Sequence, residues 1–220
     1  MVSQVMNAAP IPTRQAKADD TRLRLFAAGA ELFATHGYHA TSVEQIVRRA
    51  GVAKGTFFLH FPTKDALVTE LVRLQVRFVA RERQRLVDEG VGPTLRLRAT
   101  VMALGRLSDR NIARAVLTAG LDKGDVGSAI DRHYQDVLEL MTEDARAAVR
   151  AGELSRTTDP EMFALILMDS FLGATVSFAT NPRGRSLISM LEALVDTNLS
   201  AFAPKKKTTT SSTKRRGTAS

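Results

Sequence analysis

The sequence predicts an all-α protein: a three-helix N-terminal head joined to a larger helical body, about nine helices in all. Three observations carry this. Apolar residues recur at spacings of three and four along most of the chain, with no competing two-residue alternation. The periodic runs are punctuated by Ser, Thr or Asp at their starts and Gly or Pro at their ends. Hydrophobic residues make up 44% of the 220 positions against 25% charged, a globular balance with material for a core.

Residues 21–35 place Leu23, Phe26, Ala27, Ala30, Phe33 and Ala34 on one apolar helical face, and Gly37 ends the run. Thr41-Ser42-Val43-Glu44 reads as a capping box with Thr41 at the N-cap. Val43, Ile46, Val47 and Ala50 form the inner side of the short helix it opens. After the turn at Gly51-Val52-Ala53 a second short helix runs from Lys54 to Phe61, and Pro62 closes it. Thr63 can cap a long helix to about Glu89 with Leu67, Leu71, Leu74 and Phe78 inward, stopped by Gly90. Pro93 opens a helix to Leu107, and 109–121 forms another. Residues 122–127 read as a loop, after which Ser128 caps a helix to Ala151. Asp159-Pro160 starts a helix ending near Asn181-Pro182, and a last helix spans 186–202.

Cysteine is absent, which excludes a disulfide framework, a thiolate metal site and a cysteine nucleophile, and fits a reducing, cytoplasmic setting. The net charge of +8 suggests an anionic partner, but it is unevenly placed. Residues 205–220 carry six basic groups and no acid, residues 21–67 are net +3, and 68–204 are net −1. The organisation expected is a flexible arm (1–20), a head (21–67), a body (68–204) and a disordered basic tail (205–220). The arm lacks the basic and apolar regions of a signal peptide. The apolar stretch 162–179 is short for a membrane span and is interrupted by Asp169 and Ser170, so a buried bundle helix is expected.

The informative segment is 41–67, TSVEQIVRRAGVAKGTFFLHFPTKDAL. Two short helices joined by a Gly-containing turn form a helix-turn-helix. Phe57 and Phe61 face inward, leaving Lys54, Gly55, Thr56, Phe58, Leu59 and His60 for other contacts. Phe58 and Leu59 beside a lysine suit a surface that a partner covers. A helical hairpin packed only on a neighbour is the plainer alternative, and the exposed combination argues against it.

These residues resemble the DNA-binding domain of the TetR family of transcriptional regulators. The carriers are Phe33-Ala-Thr-His-Gly37, Thr41 with Ile46, Ala50-Gly51-Val52, Gly55-Thr56, His60-Phe61 and Lys64-Asp65-Ala66-Leu67. The resemblance covers about 21–67. It implies that Lys54, Gly55 and Thr56 open a recognition helix that enters the major groove. It implies that Phe58 and Leu59 pack on the sugar-phosphate edge, that His60 and Lys64 hold phosphates, and that Ser42 meets one at a helix N-terminus. The chain departs from the family pattern at Ala53, commonly Ser, and Phe58, commonly Tyr.

The resemblance further implies a homodimer built through the 160–181 and 186–202 helices, an operator of double-stranded DNA, and a small-molecule effector held in the body. Met141, Phe163, Leu167, Phe171 and Phe178 are the candidate lining of a pocket for an apolar effector, although by helical spacing alone they are core. The expected function is a ligand-released repressor. The alternative is a sequence-independent architectural DNA-binding protein working through the basic tail.

Other constellations are weaker. His36 and His39 lack a partnering carboxylate, so no metal site is expected, and no cofactor motif is present. His133 and Tyr134, on a helix with Asp131 and Asp136, read as a ligand contact or ordinary surface, with surface the expectation. Asp169 is the odd residue of an apolar helix; a buried carboxylate needs a partner, and a cationic ligand, an Arg across a subunit interface or water at the helix edge are open, the structural options ahead of a ligand. No nucleophile elbow, zinc-protease motif or phosphate loop supports catalysis; a helical enzyme using His133 or Asp169 is the least favoured reading.

Overall fold

The computed structural model describes residues 14–120 and 125–205. Among these residues the chain is all-α, with nine helices and no strand. The basic tail beyond residue 205 and most of the expected N-terminal arm lie outside the described residues.

The head comprises α1 (Arg14–His36), α2 (Val43–Ala50) and α3 (Lys54–His60). Helix α1 starts seven residues before Thr21, so 14–20 is helix rather than arm. Its buried face is also rotated from the one expected. Leu25, Ala28 and Phe33 are buried while Leu23 is 66% exposed. The helix serves three neighbours, α2, α6 and α4, so its apolar residues wrap around more than one stripe.

Gly37 ends α1 at φ +87°, a conformation that suits glycine. The capping box lies one residue later than the sequence suggested. Ser42 is the N-cap of α2: its hydroxyl accepts from the Gln45 N–H at 3.2 Å, and Gln45 Oε1 accepts from the Ser42 N–H at 2.7 Å. Thr41 is instead buried and donates its hydroxyl to the Gly37 and Leu32 carbonyls at 2.8 and 3.3 Å, closing the end of α1. The head core is Leu25, Phe33, Ile46, Phe57, Phe61, Leu67 and Val68, completed by Ala115 from α6. Each fully buried Phe contributes about 1.5–3 kcal/mol of transfer free energy.

The body comprises α4 (Asp65–Asp88), α5 (Pro93–Arg106), α6 (Arg110–Gly120), α7 (Asp125–Ala151), α8 (Pro160–Thr180) and α9 (Leu187–Ala201). Helix α7 begins at Asp125, so Ser128 lies inside it rather than capping it. Asp159 caps α8 as expected, accepting from the Met162 N–H at 3.0 Å, and that bond lowers its carboxyl below the ordinary value. Helix α8 is long and apolar enough to cross a membrane, yet it packs against α5, α6, α7 and α9 inside the bundle.

Asp144 on α7 is fully buried. Arg83 of α4 reaches it through Nε and Nη2 at 2.8 and 3.0 Å, and Arg96 of α5 through Nε and Nη2 at 2.8 and 2.7 Å. Burial would lower the Arg83 guanidinium pKa, but Asp144 and Glu143 outweigh it and raise the value. Of the settings open to Asp169, the structure gives the helix edge. Asp169 is exposed at the edge of α8 and accepts from the Tyr134 hydroxyl at 3.3 Å.

Candidate nucleic-acid interface and effector cavity

The turn between α2 and α3 is fixed by Gly51 at φ +67°, with the Val52 N–H donating to the Val47 carbonyl at 3.0 Å. On α3, Phe57 and Phe61 are buried with ring centroids 5.8 Å apart, which anchors one face of the helix. The opposite face carries Lys54, Gly55, Phe58 and Leu59; Phe58 is 48% and Leu59 84% exposed. A Cβ added at Gly55 would meet nothing within 4 Å, so the glycine is not required by the protein's own packing. It nevertheless costs the helix about 0.8–1 kcal/mol relative to Ala. Ala53 leaves α3 without a side-chain cap.

Lys54 pairs with Glu44 across the two helices and holds that carboxyl below its ordinary value. Ser42 is exposed at the start of α2. The Arg22 guanidinium lies 4.6 Å from the Phe61 ring centre and donates to the His60 carbonyl at 3.1 Å, tying the end of α3 to α1. Lys64 is turned inward: its ammonium donates to the Tyr38 and Thr41 carbonyls at 2.8 and 2.9 Å and lies 4.0 Å from the Tyr38 ring centre. Burial lowers its pKa. Sequence reasoning placed it among the phosphate contacts; its geometry makes it a brace on the loop leading to Ser42.

The body holds an apolar cavity of about 290 Å³. Its walls come from Phe26 of α1, Leu71, Leu74, Gln75 and Phe78 of α4, Ile112, Val116 and Leu117 of α6, and Phe171 of α8. A smaller lobe of about 90 Å³ shares Val72, Gln75, Val116, Phe171 and Leu172 with it and reaches His133 and Tyr134. The Tyr134 phenol is pushed up by burial and by the neighbouring Asp169 carboxylate.

Of the five pocket candidates, only Phe171 lines this cavity. Met141, Phe163 and Leu167 are fully buried core residues, as their helical spacing allowed, and Phe178 packs its ring 4.2 Å from the Arg110 guanidinium. Leu74 and Phe78, expected to be packed inward, are 38% and 43% exposed and line the cavity. Gln75, missed from the sequence, was signalled by a polar residue among Leu71, Leu74 and Phe78. Among the described residues no group of three or more His, Cys, Asp or Glu could hold a metal ion; His36 and His39 line a separate cleft with Asn111 and Arg114.

Residues 25–71 match the family model for bacterial regulatory proteins of the tetR family. The head of this chain is therefore that of the TetR family. The chain carries the family's N-terminal helix-turn-helix, and its relatives are transcriptional regulators. The transcriptional regulator UidR of Escherichia coli is 24% identical over 192 residues, covering 85% of this chain and 97% of that one. The A-factor receptor protein of Streptomyces griseus is 32% identical over 166 residues, 73% of this chain and 55% of that one. The solved structure of the regulator FadR from Bacillus subtilis, in complex with stearoyl-CoA, aligns at TM-score 0.69 with 18% identity, over 82% of this chain and 98% of that one. This last likeness is one of fold.

Proposed function

We propose that this TetR-family protein is a cytoplasmic homodimeric repressor that binds a pseudo-palindromic operator and is released by a small, uncharged, largely apolar effector. The observation that carries the reading is the position of the cavity. Phe26, Leu71 and Val116 line it, and the same three side chains pack against the head core. A ligand that displaces them changes the support of the DNA-reading helix. An effector that binds one head arrangement better than the other shifts the population by that difference in affinity.

On the DNA side, Lys54, Gly55 and Thr56 would read base edges in the major groove, with Gly55 allowing close backbone approach. Phe58, Leu59 and His60 would lie along the sugar-phosphate edge, and Ser42 would meet a phosphate at the start of α2. Lys64 would act on the same surface by bracing it. For the dimer, the outer faces of α8 and α9 are the candidate. Met162 and Val176 are 54% and 44% exposed, and the space above Gly173 is open. Covering that face with a second copy would build a four-helix contact. The exposed, apolar tip of α3, Phe58 with Leu59, favours this division over binding through the basic tail alone.

The acyl-CoA in the FadR neighbour does not transfer easily. No Arg, Lys or His lines the larger lobe among the described residues, so nothing there would hold the phosphates of coenzyme A. The test is selection of binding sites from random DNA by the full-length protein, followed by challenge of the selected complex with neutral apolar compounds. A palindromic motif with half-sites about 34–36 Å apart supports the proposal. Binding with no sequence preference, lost on removing residues 205–220, overturns it in favour of the architectural alternative.

A further inference from the structure

The polar atoms of the cavity wall restrict the effector's chemistry further. Gln75, at the partition between the two lobes, has its amide orientation fixed. Its Nε2 donates to the Leu104 carbonyl at 2.7 Å and to Ser108 Oγ at 3.4 Å, and a carbonyl cannot accept from the amide oxygen. Leu104 sits in the last turn of α5, where carbonyls lack helical partners, so this acceptor is a standing demand of the fold. Ser108 donates its own hydroxyl to the same carbonyl at 2.9 Å. Thr175, the remaining polar side chain of the larger lobe, donates to the Phe171 carbonyl at 2.8 Å. Among the described residues the Ser108 and Thr175 hydroxyl hydrogens are therefore engaged and the Gln75 amide nitrogen faces the Leu104 carbonyl, while Gln75 Oε1 accepts from no described residue. In the smaller lobe the Tyr134 hydroxyl donates to Asp169, which leaves His133 as the side chain there with a ring nitrogen for a ligand.

We infer that the effector is a neutral, mostly hydrocarbon molecule carrying a hydroxyl or N–H, which donates to Gln75 Oε1 where the two lobes meet. This rests on the proposal that the cavity is the effector site. A ketone, ester or carboxylate placed at the same point finds oxygen facing oxygen, and a charged group finds no counter-ion among the described residues of the larger lobe. The size follows from volume. A dry 150 Å³ cavity holds a benzene, so lobes of about 290 and 90 Å³ accommodate roughly 12–15 non-hydrogen atoms.

The experiment uses the full-length wild type, Gln75→Met and the cavity-filling Ala113→Trp. Each is titrated with 1-decanol, 2-decanone, n-decane and decanoate by calorimetry. In wild type 1-decanol binds tightest, and its advantage over n-decane falls by about 3- to 10-fold in Gln75→Met, the equivalent of one hydrogen bond. Because both ligands are compared within one variant, a change in that variant's stability cancels. Ala113→Trp abolishes binding of all four. If 2-decanone matches 1-decanol, or the advantage survives in Gln75→Met while Ala113→Trp still abolishes binding, the donor inference is wrong and the cavity reading stands. If no probe binds wild type, or Ala113→Trp leaves binding unchanged, the cavity reading falls and the inference with it.

Discussion

Replacing Lys64 by Met separates bracing from phosphate binding. Methionine keeps the unbranched stem and removes the ammonium, which donates to the Tyr38 and Thr41 carbonyls at 2.8 and 2.9 Å and lies 4.0 Å from the Tyr38 ring centre. A charge-assisted hydrogen bond is worth about 1.5–3 kcal/mol. Lys64 is half-buried, so solvent screening brings the pair down to about 2 kcal/mol. The contact with the Tyr38 ring adds ~0.5 kcal/mol. For a chain of this length that corresponds to a fall in Tm of roughly 5–10 °C. The loop 37–41 also delivers Ser42 to the start of α2, so operator affinity falls as well. The assays are a thermal melt at fixed protein concentration and operator binding across a salt series. Bracing leaves the salt dependence of binding close to wild type. A phosphate contact from each subunit would instead lower the slope of log K against log salt by ~1.8. A variant that melts with wild type and loses that slope would refute the bracing role and restore Lys64 to the phosphate contacts.

Three further outcomes are expected. Asp144→Ala strands the guanidinium groups of Arg83 and Arg96 around a buried void and costs about 3–5 kcal/mol in urea unfolding; a loss under ~1 kcal/mol would show that water satisfies them. Thr56→Ala changes base preference at one operator position per half-site by about 1–3 kcal/mol and leaves the salt slope unchanged, read by binding to a panel of single-base operator variants. Glu70 is raised by burial, but Arg73 and Arg22 outweigh that and hold its carboxyl below the ordinary 4.5. Its pairing with Arg22 of α1, at 2.9 Å, therefore stabilises the fold above that ordinary value and is lost as pH falls through the lower folded-state one. Glu70→Gln should be less stable than wild type at neutral pH and converge with it in acid, and parallel stability curves would contradict this.

What the sequence made legible followed from short-range rules. Gly37, Gly51, Gly90 and Gly152 all take positive φ at helix ends, and Asp159-Pro160 opens α8 as its cap chemistry demands. Phe57 and Phe61 inward with Phe58 and Leu59 outward is a consequence of helical geometry alone. The failures came where a choice depended on long-range packing. Thr41 and Ser42 are both competent caps, and only the carbonyls of Gly37 and Leu32 above Thr41 decide between them. Asp169 sits on an apolar helix and Asp144 on one rich in charge, the reverse of their burial. Which one is buried depends on Arg83 and Arg96, 61 and 48 residues away. The cavity lies away from four of the five pocket candidates for a related reason. Periodicity marks Leu74, Phe78 and Leu167 as facing inward, but it cannot distinguish a wall from filled core.

On the proposed reading, that distinction is what lets the body act on the head. Two apolar cores, one around Phe33 and Phe57 and the other around Met141 and Leu167, are both packed shut. Packed cores are stiff and transmit displacement rather than absorbing it. The cavity lies where they meet, between α4, which belongs to both, and α6, which belongs to the head core: Leu67 and Val68 of α4 and Ala115 of α6 are buried in the head core, while Val79 of α4 is buried in the body core. Filling it therefore pushes on elements whose far ends are fixed in the DNA-reading unit. A ligand of the same affinity seated in a pocket lined by Met141 and Phe163 would meet only body helices and would have no such route. The switch needs a void at the junction rather than a larger void elsewhere, and the side chains that line this one, Phe26, Leu71 and Val116, are those that also close the head core.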